Sequence, residues 1–469
     1  MKQDLLGAMR EGRALSLRQQ IRLVAQLSVP AILAQVSSII MQYIDTSMVG
    51  SLGTNASAAI GLVASTTWLL GGLCRAMIVG FCVQTAQRIG AGDEQDARNL
   101  VRQGIVTGLA FGLLLAGLGA AVSGALPRWL GADSAIWKDA AAYFLVYSLA
   151  LPFFLLNRLA AGLLQASGNM RTPSILLVLM CPLDVVFNFF LIFPTRQIGG
   201  ITVPGAALGV TGAALGTALA EAVVALLLCA ALLLYSPMLH LRRGERLRFV
   251  PRQLKRAALL AAPVALEQAV MSGGQVATTG IIAPLGTTSI AANSFAVTAE
   301  ALCYMPGYGV QNAAITLVGQ SVGAERRDLV TRLSWVTVLL GTGVMGAAAG
   351  LMYVLAPTII GILTPDALAA ALTVQVLRIV VFAEPLYGAS IVATGVFQGA
   401  GNSLLSSVLN FVSMWGVRVP LTVLLANSMA LPGAWIAMSI ELAVRGLLFL
   451  IVLARKWWLP RSFREKAKQ

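Results

Sequence analysis

Histidine is almost absent from this chain: His240 is the only one among 469 residues. A histidine-based catalytic triad, a His-rich metal site and haem ligation all lose their usual residue. The five cysteines (Cys74, Cys82, Cys181, Cys229 and Cys303) sit in apolar stretches without metal-ligand spacing. They read as small buried hydrophobes and say nothing about redox compartment. Charge is also scarce: Asp, Glu, Lys and Arg make up 11% of the chain, against roughly 25% in a soluble domain. Acidic charge is scarcest, with 19 Asp and Glu against 33 Lys and Arg. These absences remove most of the tools of enzymology and exclude a soluble domain, so neither an enzyme nor a bound cofactor is expected.

What remains is apolar: 58% hydrophobic residues and a mean hydropathy of +0.82. A bilayer core needs about 20 apolar residues per helix. Twelve such stretches are predicted, near 21–46, 56–82, 99–125, 140–163, 174–194, 211–235, 257–282, 289–319, 333–360, 373–397, 404–427 and 432–455. The expected fold class is therefore an all-α integral membrane protein with twelve transmembrane helices in two six-helix lobes. The first twenty residues are polar, with no apolar core ahead of a small-residue cleavage site, so helix 1 itself is expected to direct insertion.

The net charge of +14 follows the positive-inside rule rather than a nucleic-acid footprint. Basic residues crowd the segment before helix 1 (Lys2, Arg10, Arg13, Arg18, Arg22), the connection after helix 6 (Arg242, Arg243, Arg246, Arg248, Arg252, Lys255, Arg256) and the tail (Arg455, Lys456, Arg461, Arg464, Lys466, Lys468). Only Arg128, Lys138 and Arg196 fall on the other side. Both termini are thus expected in the cytoplasm, with the protein in the plasma (inner) membrane. The lipid bilayer is its expected partner, without nucleic acid, and the chain is expected to work as a monomer.

The chain repeats itself at an offset of 233 residues. Residues 30–59 (PAILAQVSSIIMQYIDTSMVGSLGTNASAA) align without a gap on 263–292 (PVALEQAVMSGGQVATTGIIAPLGTTSIAA). GLLQASGN at 162–169 falls on GVFQGAGN at 395–402, and Gln87 with Gly90 falls on Gln320 with Gly323. A duplicated membrane unit is the architecture of secondary transporters, and six helices per copy gives both copies one orientation. The expected division is an N-lobe at 1–237, an inter-lobe linker at 238–255 and a C-lobe at 256–469. The linker SPMLHLRRGERLRFVPRQLKR reads as a cytoplasmic connection that also holds anionic lipid headgroups. Pro30 and Pro263, each inside the first helix of its copy, remove a backbone hydrogen bond and allow a bend.

Ionisable residues inside apolar helices cost several kcal/mol at bilayer centre and mark pathways or partners. Seven carboxyls qualify: Asp45, Asp184, Glu221, Glu267, Glu300, Glu384 and Glu441. The repeat pairs Asp45 with Thr278, Glu267 with Ala34, Glu300 with Thr67 and Glu384 with Leu151, so the acids are private to each copy. Glu267, Glu300 and Glu384 each lie roughly 11 residues, about 16 Å, into their helices. Three carboxyls converging at one depth would hold a proton, coordinate Na⁺ or bind an organic cation. Glu441 precedes Arg445 by four residues, the spacing of a helical ion pair, and Arg418 is available to counter Glu384 or Glu441. Tyr43, Trp68, Tyr304, Met305, Tyr308 and Tyr387 suit the lining of an adaptable cation-binding cavity.

The strings IDTSMVGSLG at 44–53, PVALEQ at 263–268, YMPGYGVQNAAITLVGQSVGA at 304–324, GVRVP at 416–420 and the two Gln-x-x-Gly-Asn motifs together resemble the multidrug and toxic compound extrusion (MATE) family of cation-coupled antiporters. The resemblance covers essentially the whole chain. It implies export of small organic, cationic compounds in exchange for inward H⁺ or Na⁺ by alternating access, with no other cofactor. Carried residue by residue, it implies that Glu267, Glu300 and Glu384 match acids of the family in helices 7, 8 and 10, and Asp45 its helix 1 aspartate. Helix 5 departs from the DinF-like order, because Asp184 comes first and Asn188 four residues later, still on one face. Thr217 resembles a helix 6 threonine of the same site, and Glu221 has no match. The expected metal role is confined to Na⁺ at Asp45 or the Glu267 cluster. A lipid-linked oligosaccharide flippase, a membrane enzyme and a channel are the competing readings; a flippase fits poorly with cavity candidates that are mostly acidic.

Overall fold

With no water in the hydrocarbon region, each crossing segment must satisfy its own backbone hydrogen bonds, and a sequence of long apolar runs does so as helices. The computed structural model describes residues 5–11, 13–198, 201–242, 244–364, 366–460 and 463. Of the basic residues assigned above, Lys2, Arg243, Arg461, Arg464, Lys466 and Lys468 lie outside the described residues. The first repeat forms α1 (Leu17–Gly50), α2 (Thr54–Gly90), α3 (Glu94–Val122), α4 (Trp137–Ala166), α5 (Arg171–Ile192) and α6 (Gly209–Ala230). The second forms α7 (Pro251–Ile282), α8 (Thr287–Gly323), α9 (Arg327–Leu363), α10 (Ala367–Val380), α11 (Glu384–Gly399), α12 (Ser403–Ser413) and α13 (Val419–Ala454). A short antiparallel hairpin, β1 (Pro194–Ile198) and β2 (Ile201–Ala206), interrupts an otherwise helical chain between α5 and α6.

Among the described residues, nine helices are long and apolar enough to cross a membrane, or ten when the bent pair α10–α11 counts as one span. The difference from twelve has physical causes. Residues 403–454 run on as one helical stretch of 52 residues, roughly 78 Å at 1.5 Å per residue and far longer than a bilayer core of about 30 Å. That run turns at Ala430 (φ 54°, ψ −138°), two residues before Pro432. It therefore holds two crossings. Helix α8 has 37 residues and carries Glu300 among many small and polar side chains, which lowers its hydropathy without shortening it. Among the described residues, the hairpin is the one departure from an all-α expectation.

The chain divides into two compact units whose boundaries fall inside helices. One unit holds residues 37–85 and 93–261; the other holds 1–36, 86–92 and 262–469. Each unit is built mainly from one repeat and takes the opening turns of the other repeat's first helix. In the first-repeat unit α4 packs on α6, α5 on α6 and α3 on α4. A Cβ on Gly80 of α2 would stand 2.4 Å from the carbonyl oxygen of Ala257, in the opening turns of α7. In the second-repeat unit α8 packs on α9 and α11, and α11 on α13; a Cβ on Gly309 of α8 would lie 2.6 Å from the backbone nitrogen of Ile32 in α1. Small residues allow such backbone contact between helices. Phe397, Phe449 and Trp458 stack at 5.5 and 5.9 Å to fill the core of this unit. Leu113, Leu114 and Leu118 of α3 are more than half exposed, the outward apolar face that lipid rather than water accommodates.

The ends of α2 and α8 meet reciprocally. A Cβ on Gly90 would stand 2.0 Å from the carbonyl oxygen of Gln320, and one on Gly323 would stand 1.9 Å from that of Gln87. These four residues are two pairs at the 233-residue offset, so the repeat is visible as a contact as well as a string.

The linker is docked rather than free. Glu245 accepts from Arg98 Nη2 at 2.8 Å and is also bridged by Arg102. Asn99 and the Arg248 backbone exchange hydrogen bonds at 3.0 and 3.1 Å, and the Val250 N–H donates to Gln103 Oε1 at 3.2 Å. The Arg98 hydrogen bond, helped by Arg102, holds the Glu245 carboxyl down at about 2, from an ordinary 4.5. A lowered carboxyl stabilises the docked linker above pH 4.5 and loses that contribution as pH falls toward 2. Hydrogen exchange at the Arg248 and Val250 amides, corrected for intrinsic rates, is expected to accelerate across that window. Glu245→Gln is expected to accelerate it already at neutral pH; unchanged protection in the variant would remove Glu245 as the anchor.

Candidate cation and substrate sites

In the first-repeat unit the site begins with helix spacing. Asp184 and Asn188, four residues apart on α5, present one face, and both are fully buried. Asn188 Nδ2 donates to Asp184 Oδ2 and to Asp45 Oδ1, each at 2.9 Å. One amide thus spends both its hydrogens on two carboxyls from different helices. Because the amide sits between the acids, the exchanged order of Asp184 and Asn188 along α5 still yields a bridged pair. Helix α6 makes room: a Cβ on Gly216 would stand 2.0 Å from Asn188 Oδ1, and one on Gly212 would stand 2.5 Å from the Leu191 carbonyl oxygen. Thr217 adjoins Asp184, and Tyr143 faces both acids. Among the described residues, Asp184 Oδ1 and Asn188 Oδ1 are buried without a hydrogen-bond partner, an acceptor-rich pocket that a proton or cation would complete. Elsewhere in the unit, buried Glu221 accepts from Asn157 Nδ2 and lies near Arg158.

The second-repeat unit holds its acids in two settings. Glu267, half-buried on α7, accepts from Ser407 Oγ at 2.7 Å and Asn410 Nδ2 at 2.6 Å, both on α12. Glu300 on α8 and Glu384, the first residue of α11, are buried and face one another within hydrogen-bonding reach. The 61° bend between α10 and α11 delivers Glu384 to this place; broken helices are a recurrent way to bring ionisable groups to mid-membrane. Both carboxylate oxygens of Glu384 and Oε1 of Glu300 lack a donor among the described residues. A proton between them would supply one. Glu441 and Arg445 form the expected ion pair at 2.6 Å, and Arg418 lies near Glu441 and Glu300. Tyr304 meets Tyr308 and Tyr387 edge-on at 6.1 Å, and Arg445 lies 5.6 Å from the centre of the Tyr387 ring.

The structure brings Asp45, Asp184, Asn188 and Thr217 together in one unit, and Glu300 with Glu384 in the other. Glu267 is held by α12. Sequence reasoning named neither Ser407 nor Asn410. A signal was available in SLLSSVLNFVS, where Ser403, Ser406, Ser407, Asn410 and Ser413 are all buried and recur at three- and four-residue spacing, a polar stripe inside an apolar run.

The geometry predicts a steric test. Gly216→Ala is expected to displace Asn188 from between its acids and cost about 1–3 kcal/mol, read as a lower unfolding midpoint in detergent. Gly117→Ala, whose Cβ would meet nothing within 4 Å, is expected to leave the midpoint in place. Equal effects from both would remove the bridging role.

A family model described as MatE matches the chain twice, over residues 30–190 and 263–424. Both matches start at a proline of the 233-residue repeat. The chain is 25% identical over 454 residues to the "Probable multidrug resistance protein NorM" of Thermotoga maritima, covering 95% of each protein. It is 23% identical to the "Probable multidrug resistance protein YoeA" of Bacillus subtilis, covering 90% of each. In fold it is similar to the outward-facing structure of a multidrug resistance MATE family transporter of the MOP superfamily, with a TM-score of 0.87 and 20% identity over 93% of this chain and 96% of that one. With these matches spanning both repeats, the chain belongs to the MatE family and is a multi-pass membrane transporter, not an enzyme.

Proposed function

We propose that this protein is a secondary active multidrug efflux antiporter, exporting small organic cations in exchange for H⁺ or Na⁺ taken inward. The observation that carries this reading is the pair of buried acid sites, each of which leaves at least one carboxylate oxygen without a donor among the described residues. A buried carboxyl of this kind has three ways to be satisfied: a proton, a metal cation or the positive charge of a substrate. When two of these compete for one group, binding of either weakens the other by the same factor. Binding of the coupling cation from outside at Asp45 and the Glu267 cluster then displaces the drug outward, the loaded protein reopens toward the cytoplasm, and the competition makes the exchange obligatory. The names of the relatives support a multidrug range of substrates, and the cluster of Tyr304, Tyr308 and Tyr387 supplies aromatic faces suited to organic cations.

The lobes are assigned to residues 1–237 and 256–469, joined by the linker at 238–255, and the working form to the monomer. Membership of the plasma membrane with both termini in the cytoplasm rests on the crowding of basic residues at one set of helix ends. The cation-coupling and substrate-binding residues assigned are Asp45, Asp184, Asn188, Thr217, Glu267, Glu300 and Glu384.

Ethidium efflux from proteoliposomes, driven by Na⁺ and pH gradients imposed separately, tests this function. Asp45→Asn combined with Glu267→Gln is expected to lower efflux by at least about tenfold, the equivalent of 1.4 kcal/mol in driving interaction, at unchanged expression. Efflux that survives the double substitution would overturn the assignment.

A further inference from the structure

The acid cluster of the second-repeat unit contains its own cations, and their number is informative. Three carboxyls (Glu300, Glu384 and Glu441) and two guanidiniums (Arg418 and Arg445) are all nine-tenths or more buried. Glu441 and Arg445 neutralise one another along one helix. Arg445 Nε donates to Glu441 Oε1 at 2.7 Å, and Ser413 Oγ donates to the same oxygen. Arg418, whose charge acts first on Glu441 and then on Glu300, is then the one guanidinium in excess of that ion pair, and Glu300 and Glu384 are the two carboxyls in excess of it.

Arg418 is held where it makes no direct hydrogen bond to that pair. Its Nη2 donates to Met438 Sδ at 2.9 Å, and its Nε has no acceptor among the described residues. Its charge acts on Glu300 and Glu441. The backbone under it is a π turn, Met414–Arg418, inserted where α12 would otherwise run straight into α13. Single π turns within helices are rare and recur at functional sites. Arg418 closes this turn, so its guanidinium leaves the helix where the helical phase is reset, within range of Glu441 and Glu300. The other ionisable groups facing the carboxyl pair are Glu441 on α13, Tyr387 on α11 and Cys303 on α8.

We propose that Arg418 is a tethered cation that fills one of the two positive charges the Glu300–Glu384 pair demands, so that the pair exchanges a single proton and excludes Na⁺. The residual charge is one unit, and a proton lying between the carboxyls both cancels it and supplies the missing donor. A hard metal cation would need several oxygen ligands and would meet the repulsion of a buried guanidinium in a medium where Coulomb forces are weakly screened. Arg418 is thus the residue that sets ion specificity in this unit. The inference takes its meaning in transport from the exchange reading, but its test does not depend on transport.

Binding of radiolabelled sodium to the purified full-length protein, at alkaline pH with choline as the replacement salt, is the experiment. Arg418→Gln is expected to gain a saturable Na⁺ site, with bound Na⁺ rising about tenfold over wild type once the repulsion is gone. Arg418→Lys is expected to behave as wild type, and adding Glu384→Gln to Arg418→Gln is expected to abolish the gain. Arg418→Met, which keeps length without charge, replaces the Gln variant if the latter is not monodisperse. A neutral variant that binds no more Na⁺ than wild type would overturn the proposal. So would wild-type Na⁺ binding that Glu384→Gln removes, a comparison requiring no Arg418 variant. Should sodium binding follow these expectations while ethidium efflux is absent, the exchange reading falls and the charge assignment stands.

Discussion

A carboxyl taken out of water must find a compensating charge, a proton or enough hydrogen-bond donors, and the rest of this structure depends on that constraint. The apolar helices cannot supply donors from their backbones, which are already committed to their own hydrogen bonds. Compensation therefore comes from side chains on neighbouring helices, and this requires those helices to come close. Gly212 and Gly216 let α6 pack closely on α5, where Asn188 bridges Asp184 of its own helix and Asp45 of α1. The bend before Glu384 and the π turn before Val419 do comparable work in the second repeat, aiming a carboxyl and a guanidinium at one region. In both units the compensation is incomplete among the described residues, and incompleteness is what allows an exchangeable ligand.

Much of this was legible in the amino-acid string because it follows from composition and period. Long apolar runs force helices, and the offset of 233 exposes the duplication. A carboxyl in the middle of an apolar run can be seen without knowing its neighbours. Its neighbours cannot be seen, since the donors come from residues remote in sequence: Asp45 and Asn188 are separated by 143 positions, as are Glu267 and Asn410. The sequence separates twelve stretches, whereas length and hydropathy of the folded helices pick out nine or ten spans among the described residues. The reason is that α8 is long but laden with small and polar groups, and residues 403–454 turn at Ala430 without ending the helical run. The docked linker escaped a charge count because its arginines were read as a cytoplasmic connection holding anionic lipid headgroups, while Glu245, the one acid among them, is what joins the linker to Arg98 and Arg102.

The two copies differ in chemistry at equivalent positions, and the structure shows how. Thr278 stands where the other copy has Asp45, and its hydroxyl donates to its own helix at Gly274, 2.9 Å away. Thr67 stands where the other copy has Glu300, and it donates to Ala64 at 2.9 Å. A threonine that back-bonds to its own helix asks nothing of neighbouring helices. A carboxyl at the same position asks a great deal. A threonine can therefore hold in one copy, without a partner from another helix, the position at which the other copy carries a carboxyl.

The crossing of α2 and α8 is of another kind. Gly90 abuts the carbonyl of Gln320 while Gly323 abuts that of Gln87, and the four are two equivalent pairs. In an isologous interface residue i of one subunit meets residue j of its mate, and j meets i in return. That relation is found here inside a single polypeptide, between residues related by the 233-residue offset. It is made of backbone against backbone, so a side chain at either glycine would force the two helix ends apart.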